Sequence, residues 1–301
     1  MQQPKVIADY EDLVGEGPVW DEDTGNLHWV DLLGRRLYRY HWATRESRIL
    51  KQGIEITSFA NDRAAGFVIA NTHGIWTWDG GDQIRLVANE VDGFKCRMND
   101  GIADPAGRFL AGSCFYESDR EYPLGHLIQV GTDGSTKILD DGIHLANGLG
   151  FSPDCRTLYF TDSGARCIYA YDYDVEKGSV RNRRVAVKVP DTEGLPDGMT
   201  VDAEGFIWSA QWYGSCVVRY DPDGKVERRI KIPAKQTSSL AFGGEELADI
   251  FVTSASRSFP TPLMPADYNP ASGYFGGRLY HINLGIRGKP EFKADLMRSP
   301  R

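Results

Sequence analysis

The sequence lacks the features typical of membrane-spanning, secreted and helical proteins. Its 301 residues contain no apolar run of about 18 residues, so no membrane helix is expected. No long segment shows the apolar period of roughly 3.6 residues that indicates an amphipathic helix. Residues Met1 to Lys5 include no apolar segment of the signal-peptide type. The net charge of −8 argues against nucleic acids and anionic membrane surfaces as partners.

Common catalytic and metal-binding motifs are also missing. There is no Gly-x-Ser-x-Gly motif, which is the commonest serine-hydrolase signature. The six histidines show no HExxH or HxH spacing, which removes the zinc-protease interpretations. The five cysteines, Cys96, Cys114, Cys155, Cys167 and Cys216, are odd in number and show no CxxC spacing. We therefore interpret them as reduced thiols, and we expect a cytoplasmic protein.

The sequence does contain a repeated pattern, in which a polar residue precedes a short apolar run, a turn and a second apolar run. Counted from Glu16, the polar residue returns after 41, 43, 47, 50 and 41 positions. The six polar residues are Glu16, Thr57, Asp100, Asn147, Asp197 and Ser238. The apolar runs contain Val, Ile, Tyr, Phe and Trp, and turns of Asp, Pro and Gly separate them. Six such units predict an all-β array or propeller, because one unit alone cannot bury its apolar face.

The repeat also predicts the domain organisation. No linker interrupts the units, so we interpret residues 1–301 as a single domain. A strand at about 5–10 precedes the first unit and, in a propeller, would complete the last blade and close the ring. The residues from about 286 to 301 predict an irregular tail.

In a propeller, the polar residues of the repeat, with either Asp100 or its neighbour Asn99 in the third unit, would form a ring around one mouth of the central channel. Two carboxylates and a carboxamide in such a confined space are unfavourable unless a cation lies among them. Hard oxygen ligands favour Ca²⁺, Mg²⁺ or Mn²⁺, and three protein ligands leave positions open for water and substrate. The alternative is that Glu16, Asn147 and Asp197 only cap strands and turns. The long loops Ser113 to Gly125 and Ser254 to Gly277 would form pocket walls on the same face.

A series of motifs follows the repeat in order along the chain. They are Gly15-Glu16-Gly17-Pro18-Val19-Trp20, Arg97-Met98-Asn99-Asp100-Gly101, Asp104-Pro105-Ala106-Gly107-Arg108, Ala111-Gly112, Asn147-Gly148-Leu149, Tyr171-Asp172-Tyr173-Asp174, Pro196-Asp197-Gly198-Met199 and Asp202-Ala203-Glu204-Gly205. Together, over roughly residues 13–244, they resemble the regucalcin/gluconolactonase (senescence marker protein) family. The resemblance implies a six-bladed β-propeller with four antiparallel strands per blade, closed by the N-terminal strand.

The resemblance also implies a site and a reaction. Glu16, Asn147 and Asp197 would hold one divalent metal ion, with calcium, manganese, magnesium and zinc as candidates and iron also admitted. Arg97, Asn99 and Glu117 would contact the hydroxyl groups of a small-molecule sugar lactone, and no obligate protein partner is expected. The metal would polarise the lactone carbonyl, and Asp197 would act as general base and then general acid while the lactone is hydrolysed to the aldonic acid.

Two alternatives stay open from the sequence. One is a calcium-dependent hydrolase of the phosphotriesterase type, which could use a similar oxygen-lined site. The other is a calcium-binding propeller without catalytic activity. Arg97 and Asn99 favour an enzyme, because a scaffold needs no hydroxyl-binding residues beside its metal.

Overall fold

Six four-stranded antiparallel sheets follow one another along the chain and form a six-bladed β-propeller, as predicted. The computed structural model describes residues 3–113, 124–257, 263–266, 268–269, 271 and 276–297. The predictions for Cys114 and Glu117 concern residues outside these ranges. The four cysteines within them, Cys96, Cys155, Cys167 and Cys216, are unpaired. No helix long and apolar enough to cross a membrane occurs in this part of the chain.

The strands of the first three blades occupy the first half of the chain. The chain begins with β1 (Lys5–Asp9), followed by blade one with β2 (Gly15–Asp21), β3 (Asn26–Asp31), β4 (Arg36–His41) and β5 (Glu46–Gln52). Blade two has β6 (Ser58–Asn61), β7 (Phe67–Asn71), β8 (Gly74–Trp78) and β9 (Ile84–Ala88). A short hairpin of β10 (Glu90–Val91) and β11 (Phe94–Lys95) precedes blade three, with β12 (Met98–Ala103), β13 (Phe109–Ser113), β14 (Gly125–Val130) and β15 (Thr136–Ile143).

The second half of the chain forms the other three blades. Blade four has β16 (Ala146–Phe151), β17 (Thr157–Asp162), β18 (Cys167–Asp174) and β19 (Ser179–Lys188). Blade five has β20 (Leu195–Val201), β21 (Ile207–Trp212), β22 (Cys216–Tyr220) and β23 (Val226–Lys231). Blade six has β24 (Gln236–Gly243), β25 (Asp249–Ala255) and β26 (Arg278–Asn283). Its fourth strand is β1, which pairs with β26, so the predicted closure of the ring by the N-terminal strand is confirmed.

Burial decreases from the inner to the outer strand of a blade. Every residue of β20 is buried, whereas β23 of the same blade is exposed along most of its length. Apolar side chains fill the spaces between neighbouring blades, and the inner strands contact one another around the ring. Between blades one and six, the rings of Trp20 and Phe251 stack with centroids 5.9 Å apart. This packing directs the starts of all the inner strands towards one mouth of the channel.

The C-terminal segment 284–297 contains no strand, but it packs against the opposite end of the propeller. Ala294 and Leu296 are buried in the apolar cluster of blades two and three. Phe292 contacts Phe151 edge to face and, with Glu291, lines a narrow space of about 60 Å³ among the inner strands. The segment therefore crosses the channel at the end away from the strand starts. The assignment of residues 1–301 to a single domain stays a prediction.

One buried histidine makes the stability of the folded protein depend on pH. His28 on β3 is 6% exposed, and its ring lies edge-on to Phe67 with centroids 5.2 Å apart. Burial lowers the pKa of His28 to about 4, and the carboxylate of Asp21 offsets only part of this effect. The imidazole is therefore neutral in the folded protein at neutral pH.

We predict that His28 makes the protein less stable as the pH falls from about 6.5 to 4. In this window the unfolded chain takes up a proton at His28 that the folded chain does not, which costs up to about 3 kcal/mol of unfolding free energy. His28→Gln should therefore show a flatter loss of stability in urea unfolding at pH 7, 5.5 and 4.5. His73→Gln, at the surface, is the control and should follow the unmodified protein. Parallel curves for His28→Gln and the unmodified protein would contradict this assignment.

Candidate functional site

In five of the six blades, the polar residue of the repeat lies at a β-bulge near the start of the inner strand. The pairing register with the second strand shifts between Glu16 and Val19, Met98 and Asp100, Asn147 and Leu149, Pro196 and Met199, and Thr237 and Ser239. A bulge re-aims side chains away from the regular alternation of a strand. In blade two, by contrast, β6 pairs with β7 in unbroken register from Ser58 to Asn61. The pairing of β6 with β7 therefore lacks a bulge, and the sequence predicts no site residue in blade two.

Glycines allow the inner strands to approach one another closely at these bulges. A Cβ atom on Gly148 would lie 2.4 Å from the backbone nitrogen of Met199 in the next blade. A Cβ atom on Gly198 would lie 2.2 Å from Ser239 Oγ in the blade after that. Because each glycine directly follows a predicted ligand, the close approach brings Asn147 and Asp197 near the channel axis.

Three carboxylates interact at this mouth of the channel. Burial, together with repulsion from the neighbouring carboxylate of Asp100, raises the pKa of Glu16 to about 8. Burial also raises the pKa of Asp197 well above its usual range, with added repulsion from Glu16 and Asp100. The pKa of Asp100 itself is raised by burial to about 6. The structure therefore brings Glu16 and Asp197 together, and it adds Asp100 to them.

Few hydrogen-bond donors and no positively charged side chains among the described residues compensate the negative charge of these carboxylates. The Gly17 N–H donates to Glu16 Oε2 at 3.3 Å, and the Gly101 N–H donates to Asp100 Oδ1 at 2.7 Å. Among the residues that the structure describes, no lysine, arginine or histidine contributes to the shifted pKa values of the three acids. Like charges held together in this way favour either protonation or a bound cation.

Asn147 is joined to this group by hydrogen bonds of both ends of its carboxamide. Its Nδ2 donates to Ser163 Oγ at 2.8 Å, and its Oδ1 accepts from Asn99 Nδ2 at 2.9 Å. Ser163 Oγ in turn donates to the carbonyl oxygen of Pro196, next to Asp197. Since a carbonyl oxygen has two lone pairs, the Oδ1 of Asn147 keeps capacity for a second partner.

The donor chemistry of Glu16, Asn147 and Asp197 fits a divalent cation. The set consists of two carboxylates and one carboxamide, which are hard oxygen ligands. Among the residues in the described ranges, no group of three His, Cys, Asp or Glu side chains has the arrangement of a metal-binding cluster. The fit rests on the uncompensated charge of Glu16 and Asp197 and on the orientation of Asn147.

The predicted substrate-binding residues differ in position. Arg97 is exposed just before β12, two residues from Asn99, which is half-buried and contacts Asn147. Glu117 lies outside the described residues. Asp100 was part of the predicted ring but not of the predicted site. Ser163 follows Asp162 at the end of β17 and is 1% exposed, and no local motif signals its contacts with Asn147 and Pro196.

A second cavity lies farther out on the same face of blade five. Because β21 is antiparallel to β20, Gln211 lies beside Pro196 and the cavity opens at the same end as Asp197. Its volume is about 710 Å³, and the loop predicted as a pocket wall contributes Pro265, Tyr268 and Asn269 to its lining. The described part of that loop thus borders this outer cavity.

Comparison with known proteins agrees with the motifs of the chain. Residues 14–256 match the family model described as SMP-30/Gluconolactonase/LRE-like region. Pentonolactonase XacC from Haloferax volcanii is 38% identical over 291 residues, which cover 96% of this chain and 97% of the relative. A solved luciferin-regenerating enzyme has a TM-score of 0.88 at 29% identity, covering 98% of this chain and 100% of its own. The calcium-binding protein regucalcin from Agrobacterium tumefaciens has a TM-score of 0.83 at 28% identity, covering 97% of both chains.

The fold, the motifs and the extent of these matches agree along nearly the whole chain. The family indicated by the motifs is thereby confirmed: the chain belongs to the SMP-30/gluconolactonase/LRE-like family.

Proposed function

We propose that this protein is an enzyme that hydrolyses a sugar lactone of the aldonolactone class to the aldonic acid. One divalent cation, bound by Glu16, Asn147 and Asp197, would assist the reaction. The observation that carries the proposal is the pair of desolvated, uncompensated acids, Glu16 and Asp197, beside Asn147 at one mouth of the propeller. A pentonolactonase that is 38% identical over nearly its whole length supports the substrate class.

Asp197 is the residue that we propose moves the proton. When bound, the cation would act as a Lewis acid on the lactone carbonyl. Asp197 accepts a proton from the attacking water while the new carbon–oxygen bond forms, and it returns this proton to the ring oxygen as the ester bond breaks. Burial raises the pKa of Asp197 in the metal-free protein, and a bound cation would lower it again and keep the carboxylate charged, as a base must be.

Arg97 and Asn99 would orient the substrate. Both hydrogens of the Asn99 amide are used, one by the carbonyl oxygen of Ala146 at 2.8 Å and one by Asn147 Oδ1 at 2.9 Å. The Oδ1 of Asn99 is therefore the atom that would accept a hydrogen bond from a sugar hydroxyl. Arg97, exposed before β12, would donate to substrate oxygens from the rim.

The choice of ion follows from the ligands and from one relative. Oxygen ligands bind calcium, magnesium and manganese, and they also admit zinc and iron. The regucalcin of similar fold is described as a calcium-binding protein. Calcium is therefore the first ion to test, with the others added separately after chelation.

We predict that Asp197→Asn reduces lactone hydrolysis by about 10²–10⁴-fold, because asparagine cannot accept the water's proton. The rate should be measured as acid release from aldonolactones, and cation binding should be measured on the same samples by calorimetry. Asp223→Asn, in an exposed turn, is the matched control and should keep full activity. Undiminished hydrolysis by an Asp197→Asn protein that still binds the cation would refute the base role.

We predict that chelation abolishes hydrolysis and that one of the divalent ions restores it. Glu16→Ala should lower the affinity for that ion by at least about tenfold and reduce activity at limiting ion concentration. The substrate panel should include aldonolactones of different ring size and a phosphotriester. Turnover of the phosphotriester alone would favour the phosphotriesterase type of activity. Ion binding without turnover of any substrate would favour a calcium-binding scaffold.

We also predict that Asp100→Asn stabilises the metal-free protein at pH 8. The folded protein holds this carboxylate with its pKa raised to about 6, so its charged form costs folding free energy above that pH. Removing the charge should add about 1–3 kcal/mol to the unfolding free energy, and the gain should shrink as the pH falls from 6 towards 4. Urea unfolding in the presence of a chelator measures the difference. An equal gain at pH 8 and pH 4 would show that charge is not its cause.

A further inference from the structure

One type of hydrogen bond recurs at all three proposed cation ligands. In each case the carbonyl oxygen of the residue before the ligand accepts a hydrogen bond from a polar side chain of the preceding blade. The three bonds are Ser238 Oγ to the Gly15 oxygen at 2.5 Å, Asn99 Nδ2 to the Ala146 oxygen at 2.8 Å, and Ser163 Oγ to the Pro196 oxygen at 2.5 Å. We refer to Ser238, Asn99 and Ser163 as the inter-blade clamps.

The direction of the clamps around the ring is constant. Ser238 belongs to blade six and acts on blade one, Asn99 belongs to blade three and acts on blade four, and Ser163 belongs to blade four and acts on blade five. Each accepting carbonyl lies within two residues of a bulge of its inner strand. A bulge weakens the constraint that regular pairing places on a backbone, and a hydrogen bond from the preceding blade restores it.

The two serine clamps are fully enclosed. Ser163 is 1% exposed and Ser238 is 0% exposed, so neither hydroxyl exchanges its protein partner freely for water. Ser238 Oγ also lies 3.0 Å from Thr253 Oγ1 on the second strand of its own blade. Each serine is therefore held in place by its surroundings before it contacts the neighbouring blade.

Ser163 connects two of the proposed ligands directly. Its oxygen accepts from Asn147 Nδ2 at 2.8 Å while its hydrogen is donated to the Pro196 carbonyl. One hydroxyl group thus fixes which end of the Asn147 carboxamide carries the oxygen into the channel. The same group fixes the backbone that carries Asp197.

We propose that Ser163 and Ser238 are positioning residues for the cation site, and that Asn99 positions Asn147 in addition to any contact with substrate. Each clamp fixes the backbone next to one ligand relative to the preceding blade. The oxygen atoms of Glu16, Asn147 and Asp197 are thereby placed for a cation before it binds. The proposal rests on the proposed function for the identity of the ligands. The hydrogen bonds themselves do not depend on it.

The test compares Ser163→Ala and Ser238→Ala with a matched control, Ser254→Ala. Ser254 is also a fully buried serine, and its hydroxyl bonds to the Arg278 carbonyl of its own blade at 2.9 Å. We expect each clamp variant to bind Ca²⁺ at least about tenfold more weakly in calorimetry, as is typical when a residue that orients a ligand is lost. We expect Ser254→Ala to lose similar unfolding free energy in urea but to keep its affinity. Unchanged affinity in both clamp variants, or an equal loss in the control, would overturn the proposal.

A second measurement separates this proposal from the proposed function. In the metal-free protein, the side-chain amide proton that Asn147 donates to Ser163 should exchange with solvent several-fold faster in Ser163→Ala than in Ser254→Ala, because its acceptor is gone. This can be followed by NMR. If the unmodified protein binds no divalent ion, the proposed metal function fails, yet the exchange rates still decide whether Ser163 positions Asn147. Equal exchange in Ser163→Ala and the unmodified protein would overturn its positioning role.

Discussion

The carboxylates of Glu16, Asp100 and Asp197 repel one another at the mouth of the channel, and the propeller has to hold them together against this repulsion. The three acids belong to three different sheets, and an open arrangement of those sheets could not bring them to one point. A closed ring of sheets can, since every inner strand starts at the same mouth. Burial between the blades, as in the stacking of Trp20 on Phe251, stabilises the ring against the cost of the grouped charges.

The two ends of the channel are built for different purposes. At the strand starts, bulges and glycines bring polar side chains inwards, and Arg97 stands exposed at the rim. At the other end, the segment 284–297 covers the strand ends with Phe292 and buries Leu296. A substrate of the proposed reaction would therefore approach from the mouth that carries the acids. The grouped acids make this mouth energetically costly, as is usual for functional sites.

Much of this arrangement could be predicted from the sequence, because the repeat spacing places six polar residues at the starts of inner strands and the family resemblance points to Glu16, Asn147 and Asp197 among them. The propeller and its closure by the N-terminal strand follow from the same spacing and from the family motifs. The bulges could not be predicted, since a one-residue shift depends on how two strands pair and not on either strand alone.

The partners of the clamps could not be predicted either. Ser238 was part of the predicted ring, but its acceptor, Gly15, lies 223 residues away in the chain. Ser163 is enclosed between blades four and five, and no sequence pattern around it indicates its contacts with Asn147 and Pro196. The tail has no apolar period that would indicate where Ala294 and Leu296 pack. These contacts arise only when the ring brings distant segments together.

The pairing of β1 with β26 has a consequence for how the site comes into being. This pairing is the seam of the ring, and it joins residues near the two ends of the chain. Glu16 follows the seam on one side, while Asp197 and Ser238 precede it on the other. During synthesis, a ribosome must release almost the entire polypeptide before β1 can pair with β26. The group of oxygen ligands is therefore among the last parts of the structure to form. Conversely, separation of β1 from β26 would move Glu16 away from Asp197. A cation bound by both residues would oppose that separation.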